Sequence, residues 1–189
     1  AGHHLAGLDP KGVPKHLRGS VLPFNYNDFA ALEALVKAQD VGVIKMEVMR
    51  NREPEDRFLH RVRELATANG IVLIFDECTS GFRETFGGLH KKYGVEPDMA
   101  IFGKALGNGY AITAVIGRRE IMEAAQGTFI SSSFWSERIG PSAAVKTLEV
   151  MERERSWEYV TRTGLDVRQR WQGLADHHGL KLEHWGIPA

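Results

Sequence analysis

The sequence predicts an α/β fold built on a mostly parallel sheet. Three observations carry that expectation. Short apolar runs rich in β-branched residues recur at positions 41–48, 71–75 and 99–102, helical patterns separate the earlier ones, and a polar or glycine-bearing turn follows each run. At 189 residues the chain has the length of one domain or of a piece of a larger one, at about 100–200 residues per domain.

Each element has its own signal. Residues 1–26 are rich in Pro and Gly and lack periodicity, which marks a connecting segment. Asn27 or Asp28 then caps a helix running to Gln39, with Phe29, Leu32, Leu35 and Val36 on one face. The run 41–48 is a strand. Pro54 suits the first turn of a helix carrying Phe58, Leu59, Val62, Leu65 and Ala66, stopped by Gly70. Ile71-Val72-Leu73-Ile74-Phe75 is unbroken, as expected of a strand covered on both faces. Residues 99–102 and 111–116 give two more strands, 118–125 a helix, and 139–173 a long helix with Ala143, Ala144, Leu148 and Met151 on one face.

Composition narrows the function. Lys and Arg number 24 against 24 Asp and Glu, spread evenly, so the basic footprint of a nucleic-acid binder is missing. No run approaches the ~18 apolar residues of a membrane span. Cys78 is the only cysteine, which rules out an intrachain disulfide, argues against a cysteine-based zinc site, and fits a reducing, cytoplasmic setting. The pairs His3-His4 and His177-His178 are neighbours that do not face one metal. The first residue is not Met and the last five, Trp185-Gly186-Ile187-Pro188-Ala189, form no closing element, so both ends read as cuts.

Ligands of open α/β sheets bind beyond the carboxyl ends of strands. Asp76 and Lys104 stand at two such ends. Alone, a strand-end Asp is more often a cap or turn former, and a lone Lys in a Gly-rich turn is equally ordinary. The segment Gly103-Lys104-Ala105 also lacks the Ser/Thr that must follow the lysine of a P-loop, which excludes that nucleotide site. Together they say more. A lysine desolvated beside apolar strands is a nucleophile for carbonyls, and a neighbouring carboxylate can hold a cationic heterocycle nitrogen protonated. Both needs meet in pyridoxal 5′-phosphate (PLP) chemistry.

The residues around both positions resemble one family. Ile74-Phe75-Asp76-Glu77-Cys78-Thr79-Ser80-Gly81-Phe82-Arg83 is similar to the Asp-Glu…Thr-Gly-Phe-Arg segment of class III (ω-type) PLP-dependent aminotransferases. Pro97-Asp98-Met99, followed by Gly103-Lys104-Ala105-Leu106-Gly107-Asn108-Gly109-Tyr110, resembles the segment around their Schiff-base lysine. The 28-residue separation of Asp76 and Lys104 also suits that family. Arg83-Glu84-Thr85-Phe86-Gly87-Gly88 and Gly117-Arg118-Arg119-Glu120-Ile121-Met122 have the flavour of glutamate-1-semialdehyde aminomutase-like members, and the likeness runs with gaps over residues 13–153.

The resemblance implies the three-layer large domain of PLP fold type I, present in part: residues 1–153 its central and later portion, residues 154–189 a helix and connection toward a small C-terminal domain. It implies that Lys104 is the Schiff-base lysine and Asp76 the partner of the pyridine nitrogen. Cys78 stands where the family usually has Val against a ring face, although a small thiol also simply fills core space. Glu47 falls at the family's strand-end Glu-Pro, with Val48 in place of the Pro; a solvated strand-end acid is the alternative. Ser133, in Ser131-Ser132-Ser133-Phe134, matches a stretch that reaches a neighbouring subunit's PLP phosphate, a Ser-rich turn being the alternative.

The implied activity is amino-group transfer between an amino donor and an oxo acceptor, with ping-pong kinetics, by a homodimer with shared sites. The family's phosphate loop and ring-stacking aromatic would lie upstream of these residues. A non-catalytic truncated fragment, or another PLP fold type I activity such as decarboxylation or racemisation, remains the alternative.

Overall fold

The computed structural model describes residue 9 and residues 11–131 and 136–189. It divides into two compact units, residues 1–41 and 42–189. In the first, α1 (Phe29–Ala38) begins where the sequence predicts. Asp28 is the N-cap and its Oδ1 accepts from the Ala31 N–H at 3.0 Å, filling one of the donors a helix start leaves free.

The second unit carries the sheet. Its strands are β1 (Val43–Glu47), β2 (Val72–Asp76), β3 (Met99–Phe102) and β4 (Ala114–Gly117), in spatial order β1-β2-β3-β4. β1, β2 and β3 run parallel, and β4 pairs antiparallel with β3, so the mostly parallel sheet is as expected. The helix α2 (Phe58–Ala68) connects β1 to β2 and packs on β2. A short α3 (His90–Tyr93), not foreseen in the sequence, precedes β3.

Alternation decides which side chains make the core. Ile44 and Met46 of β1, Leu73 and Phe75 of β2, and Ala100 and Phe102 of β3 are buried, as are Phe58, Leu59, Val62 and Ala66 of α2. Each large side chain so removed from water contributes roughly 1.5–3 kcal/mol. The opposite row keeps solvent contact: Val72 and Ile74 are half-buried, and Val43 and Val115 are 52% and 46% exposed. The expectation that β2 is covered on both faces is therefore corrected, because α2 seals only one of them.

Three helix boundaries also differ. The helix expected at Pro54 starts at Phe58, since Asp56 and Arg57 take left-handed backbone angles and Phe58 N–H closes a turn on Glu55 O at 2.8 Å. The helix expected over 118–125 is a single α turn, α4 (Arg119–Met122), that tightens into a 3₁₀ turn at Glu123–Gly127. The long helix expected over 139–173 is two, α5 (Ile139–Glu154) and α6 (Ser156–His177), broken at Arg155 with φ +50°. There the guanidinium pairs with Glu158 in the first turn of α6, its Nε donating to Oε2 at 3.0 Å.

The amino ends of the strands are clasped by Asp98. Its Oδ2 accepts from Leu73 N–H at 2.8 Å and from Arg63 Nη1 of α2 at 2.8 Å, and its Oδ1 from Arg118 Nη1 at 3.2 Å. Its side chain is only 6% exposed. Burial would push this carboxyl up, but the Leu73 N–H and the two guanidinium groups hold it below its ordinary value. Asp98→Ala leaves two guanidinium groups and a buried N–H without their acceptor, so it is expected to cost about 3 kcal/mol, measured by urea denaturation.

Candidate active site

The carboxyl ends of β2 and β3 bring Asp76 and Lys104 to one turn. Asp76 closes β2, and the chain turns through Glu77-Cys78-Thr79-Ser80-Gly81. Glycine is required at the turn's end: a Cβ on Gly81 would stand 2.7 Å from Phe102 Cδ1 and 2.8 Å from Glu77 O. Lys104 opens a short 3₁₀ turn after β3 (Lys104–Leu106), with φ +45°. A left-handed lysine is strained by roughly 1–2 kcal/mol, a cost that clusters at functional positions.

The two charged groups bind adjacent residues of that turn. Asp76 Oδ1 accepts from the Cys78 N–H at 3.2 Å, and Lys104 Nζ donates to Thr79 Oγ1 at 2.8 Å. Asp76 Oδ2 also accepts from Lys45 Nζ of β1 at 2.7 Å. Burial alone would raise the Asp76 carboxyl, but Lys45 and the Cys78 N–H outweigh it and hold the group below its ordinary value. Lys104 is exposed, so the expected desolvation by the strands is not found among the described residues.

The remaining expected residues are placed as follows. Cys78 follows Asp76 in the turn, and a Cβ on Gly103 would meet its Sγ at 3.4 Å. Its thiol is pushed up by burial and by the Asp76 carboxylate, against the pull of Lys104 and Lys45. Glu47 ends β1 directly opposite Asp76 in the register, and its Oε2 pairs with Arg50 Nε at 2.8 Å. Ser133 falls outside the described residues.

Sequence reasoning missed three contributors. Thr79 holds the lysine amine and Lys45 the carboxylate. Glu77, one residue past Asp76, is fully buried on the other side: its Oε1 accepts from His90 N–H at 3.0 Å and lies 2.8 Å from His90 Nδ1, while its Oε2 is bonded by Ser80 Oγ. Burial would raise this carboxyl, but His90 and Ser80 hold it below its ordinary value. The strand's own alternation is the signal that would have found Glu77.

A carboxylate and a loop lysine at the carboxyl ends of neighbouring parallel strands, both held on one turn, are chemically suited to a cationic heterocycle bearing a carbonyl. These residues fit the ring and aldehyde of PLP by their chemistry: an anion for the ring nitrogen and an amine for the aldehyde. The comparisons with known proteins give the family. The family model for aminotransferase class-III matches residues 30–181, and the chain belongs to that family.

Among curated proteins, the chain is 36% identical over 186 residues to the 3-aminobutyryl-CoA aminotransferase of Cloacimonas acidaminovorans, covering 94% of this chain and 45% of that protein. It is 37% identical over 158 residues to the glutamate-1-semialdehyde 2,1-aminomutase of Sulfolobus acidocaldarius, covering 80% and 38%. Among solved structures, the PLP internal aldimine form of the FumI protein of Sphingopyxis sp. MTA144 superposes with a TM-score of 0.85 at 27% identity, over 89% of this chain and 42% of that one. The chain thus spans less than half the length of the relatives it matches.

Proposed function

We propose that this chain belongs to an enzyme that uses PLP to move an amino group between an amino compound and an oxo acid or aldehyde. The observation that carries the reading is the meeting of Asp76 and Lys104 on the adjacent residues Cys78 and Thr79. The PLP-holding relative of the same fold supports it.

When bound, PLP supplies an aldehyde that captures amines and a protonated ring that accepts carbanion charge. Asp76, ionised and fixed by the Cys78 N–H, holds the proton at the ring nitrogen. Lys104 would be the nucleophile toward the aldehyde and the base and acid at the substrate Cα. Thr79 orients that amine. Cys78 and Glu47, at the same strand ends, would help hold the ring, and Ser133 would supply a hydroxyl to the phosphate of a neighbouring subunit. Ping-pong kinetics belong to the same reading.

A homodimer with shared sites belongs to the same reading. Phe129, Ile130 and Ile139, close in sequence to the Ser133 stretch, are 96%, 56% and 65% exposed, apolar side chains that a second copy would cover. Residues 1–153 form the central and later part of the large domain, and 154–189 lead toward a small one. The single cysteine suits a reducing, cytoplasmic setting; among the described residues no helix is long and apolar enough to cross a membrane.

The relatives include an aminotransferase and an aminomutase, and one experiment separates these. The chain is incubated with PLP, and amino compounds are screened by loss of the visible cofactor band and by mass spectrometry of products. Release of an oxo product at a donor's expense supports intermolecular transfer. Isomerisation of a single amino aldehyde, with no separate product, supports the mutase form. A decarboxylated or racemised product, or no PLP-dependent band in the full-length protein that contains this chain, overturns the reading.

A further inference from the structure

The Asp76 carboxylate carries a partner that its role toward a ring nitrogen does not call for. Lys45 lies on the same sheet face, its strand position opposite Ile74 and two residues before Glu47, which is opposite Asp76. Its Nζ donates to Asp76 Oδ2 at 2.7 Å, while Oδ1 takes the Cys78 N–H at 3.2 Å. One oxygen is thus held by a cation and the other by the backbone, which fixes the carboxylate's orientation.

The charged and titratable groups around this pair are accounted for. Glu47 on β1 is engaged by Arg50 at 2.8 Å, Lys104 donates to Thr79 at 2.8 Å, and the Cys78 thiol, pushed up by burial and by Asp76, stays neutral near pH 7. Lys45 is therefore the direct cationic partner of Asp76 among the described residues. A carboxylate offers about four lone-pair sites, so it can hold Lys45 and a second cationic donor together. Two cations sharing one anion repel, and each weakens the other's hold.

We propose that Lys45 is a positioning residue for Asp76: it anchors the carboxylate through Oδ2 and, by sharing its charge, limits how strongly Asp76 retains the proton of a cationic ring nitrogen. This rests on the PLP reading above and deepens it. A ring nitrogen held less tightly delocalises carbanion charge less completely, so Lys45 acts on the reaction through Asp76 and touches neither substrate nor lysine nucleophile.

Two titrations of the full chain test it, on the wild type, Lys45→Met, Lys45→Gln and Lys45→Arg. In the first, without added cofactor, the Asp76 carboxyl is followed by carbon NMR. Its midpoint is expected to rise by about half a unit to one unit in Lys45→Met and Lys45→Gln and to return toward wild type in Lys45→Arg. In the second, PLP labelled with nitrogen-15 at the ring reports the ring-nitrogen midpoint, which is expected to rise in the same two variants. Lys45 is 51% exposed, so its replacement leaves the core intact; the glutamine variant guards against a defect peculiar to methionine. An Asp76 midpoint unmoved in both uncharged variants overturns the pairing. A moved Asp76 midpoint with an unmoved ring nitrogen overturns the charge-sharing role. Failure of every chain to take PLP counts against the transaminase reading instead, and the first titration then decides the pair.

Discussion

Lys104→Ala is expected to bring borohydride-fixed cofactor down to background and to lower amino-group transfer by at least about 10³-fold. Peptide mass spectrometry of the reduced wild type locates the fixed group, and a label on any residue other than Lys104 would sink the assignment. The size of the loss would follow from the two roles proposed for one amine, nucleophile toward the aldehyde and proton carrier at the substrate Cα. Far-ultraviolet dichroism should not change, because Lys104 is exposed and its one described side-chain bond is to Thr79. Its backbone adds a second expectation. With φ +45° the position is strained for any L side chain, so Lys104→Gly should unfold at no lower urea concentration than the wild type while losing all covalent cofactor.

Glu77→Ala is expected to lower stability by about 3–5 kcal/mol, at least as large a loss as that of Asp98→Ala, read as a fall in the urea midpoint. The carboxylate is fully buried, and its removal strands the Ser80 hydroxyl, the His90 N–H and the His90 ring together. Glu77→Gln keeps one acceptor oxygen and should cost about half as much. The acid limb gives an independent check. A folded carboxyl held below its ordinary value of 4.5 contributes stability that is present above that value and is lost as pH falls through the lowered one. Below about pH 4 the wild type should therefore lose stability more steeply than Glu77→Gln. Parallel acid limbs would show that Glu77 takes up no proton on unfolding.

The elements legible in the sequence were those whose signal is local. Apolar runs marked the first three strands, an Asp with a following apolar face marked α1, and the turn after each strand drew attention to Asp76 and Lys104. Distant pairings were not legible. Lys45 sits 31 residues from Asp76 in sequence, and only the parallel register of β1 with β2 brings them together. Asp98 was visible as part of a motif, but its clasp joins three elements that no spacing links. Arg155 breaks a helix without Gly or Pro, using a left-handed angle that has no compositional mark. The desolvation expected at Lys104 was inferred from neighbours in sequence, whereas exposure depends on what covers the sheet face above it.

Asp76 and Glu77 are consecutive, yet one faces the site and the other is sealed beneath it. That adjacency constrains how genes for such chains can drift. Point substitutions around the turn alter one face at a time and leave the other intact. Loss or gain of a single codon within β2 inverts the order, carrying the buried acid to the surface and the site acid into the apolar interior. Length change in this strand is therefore closed to evolution in single steps. Divergence among relatives should accumulate here by replacement, with insertions confined to the loops that follow.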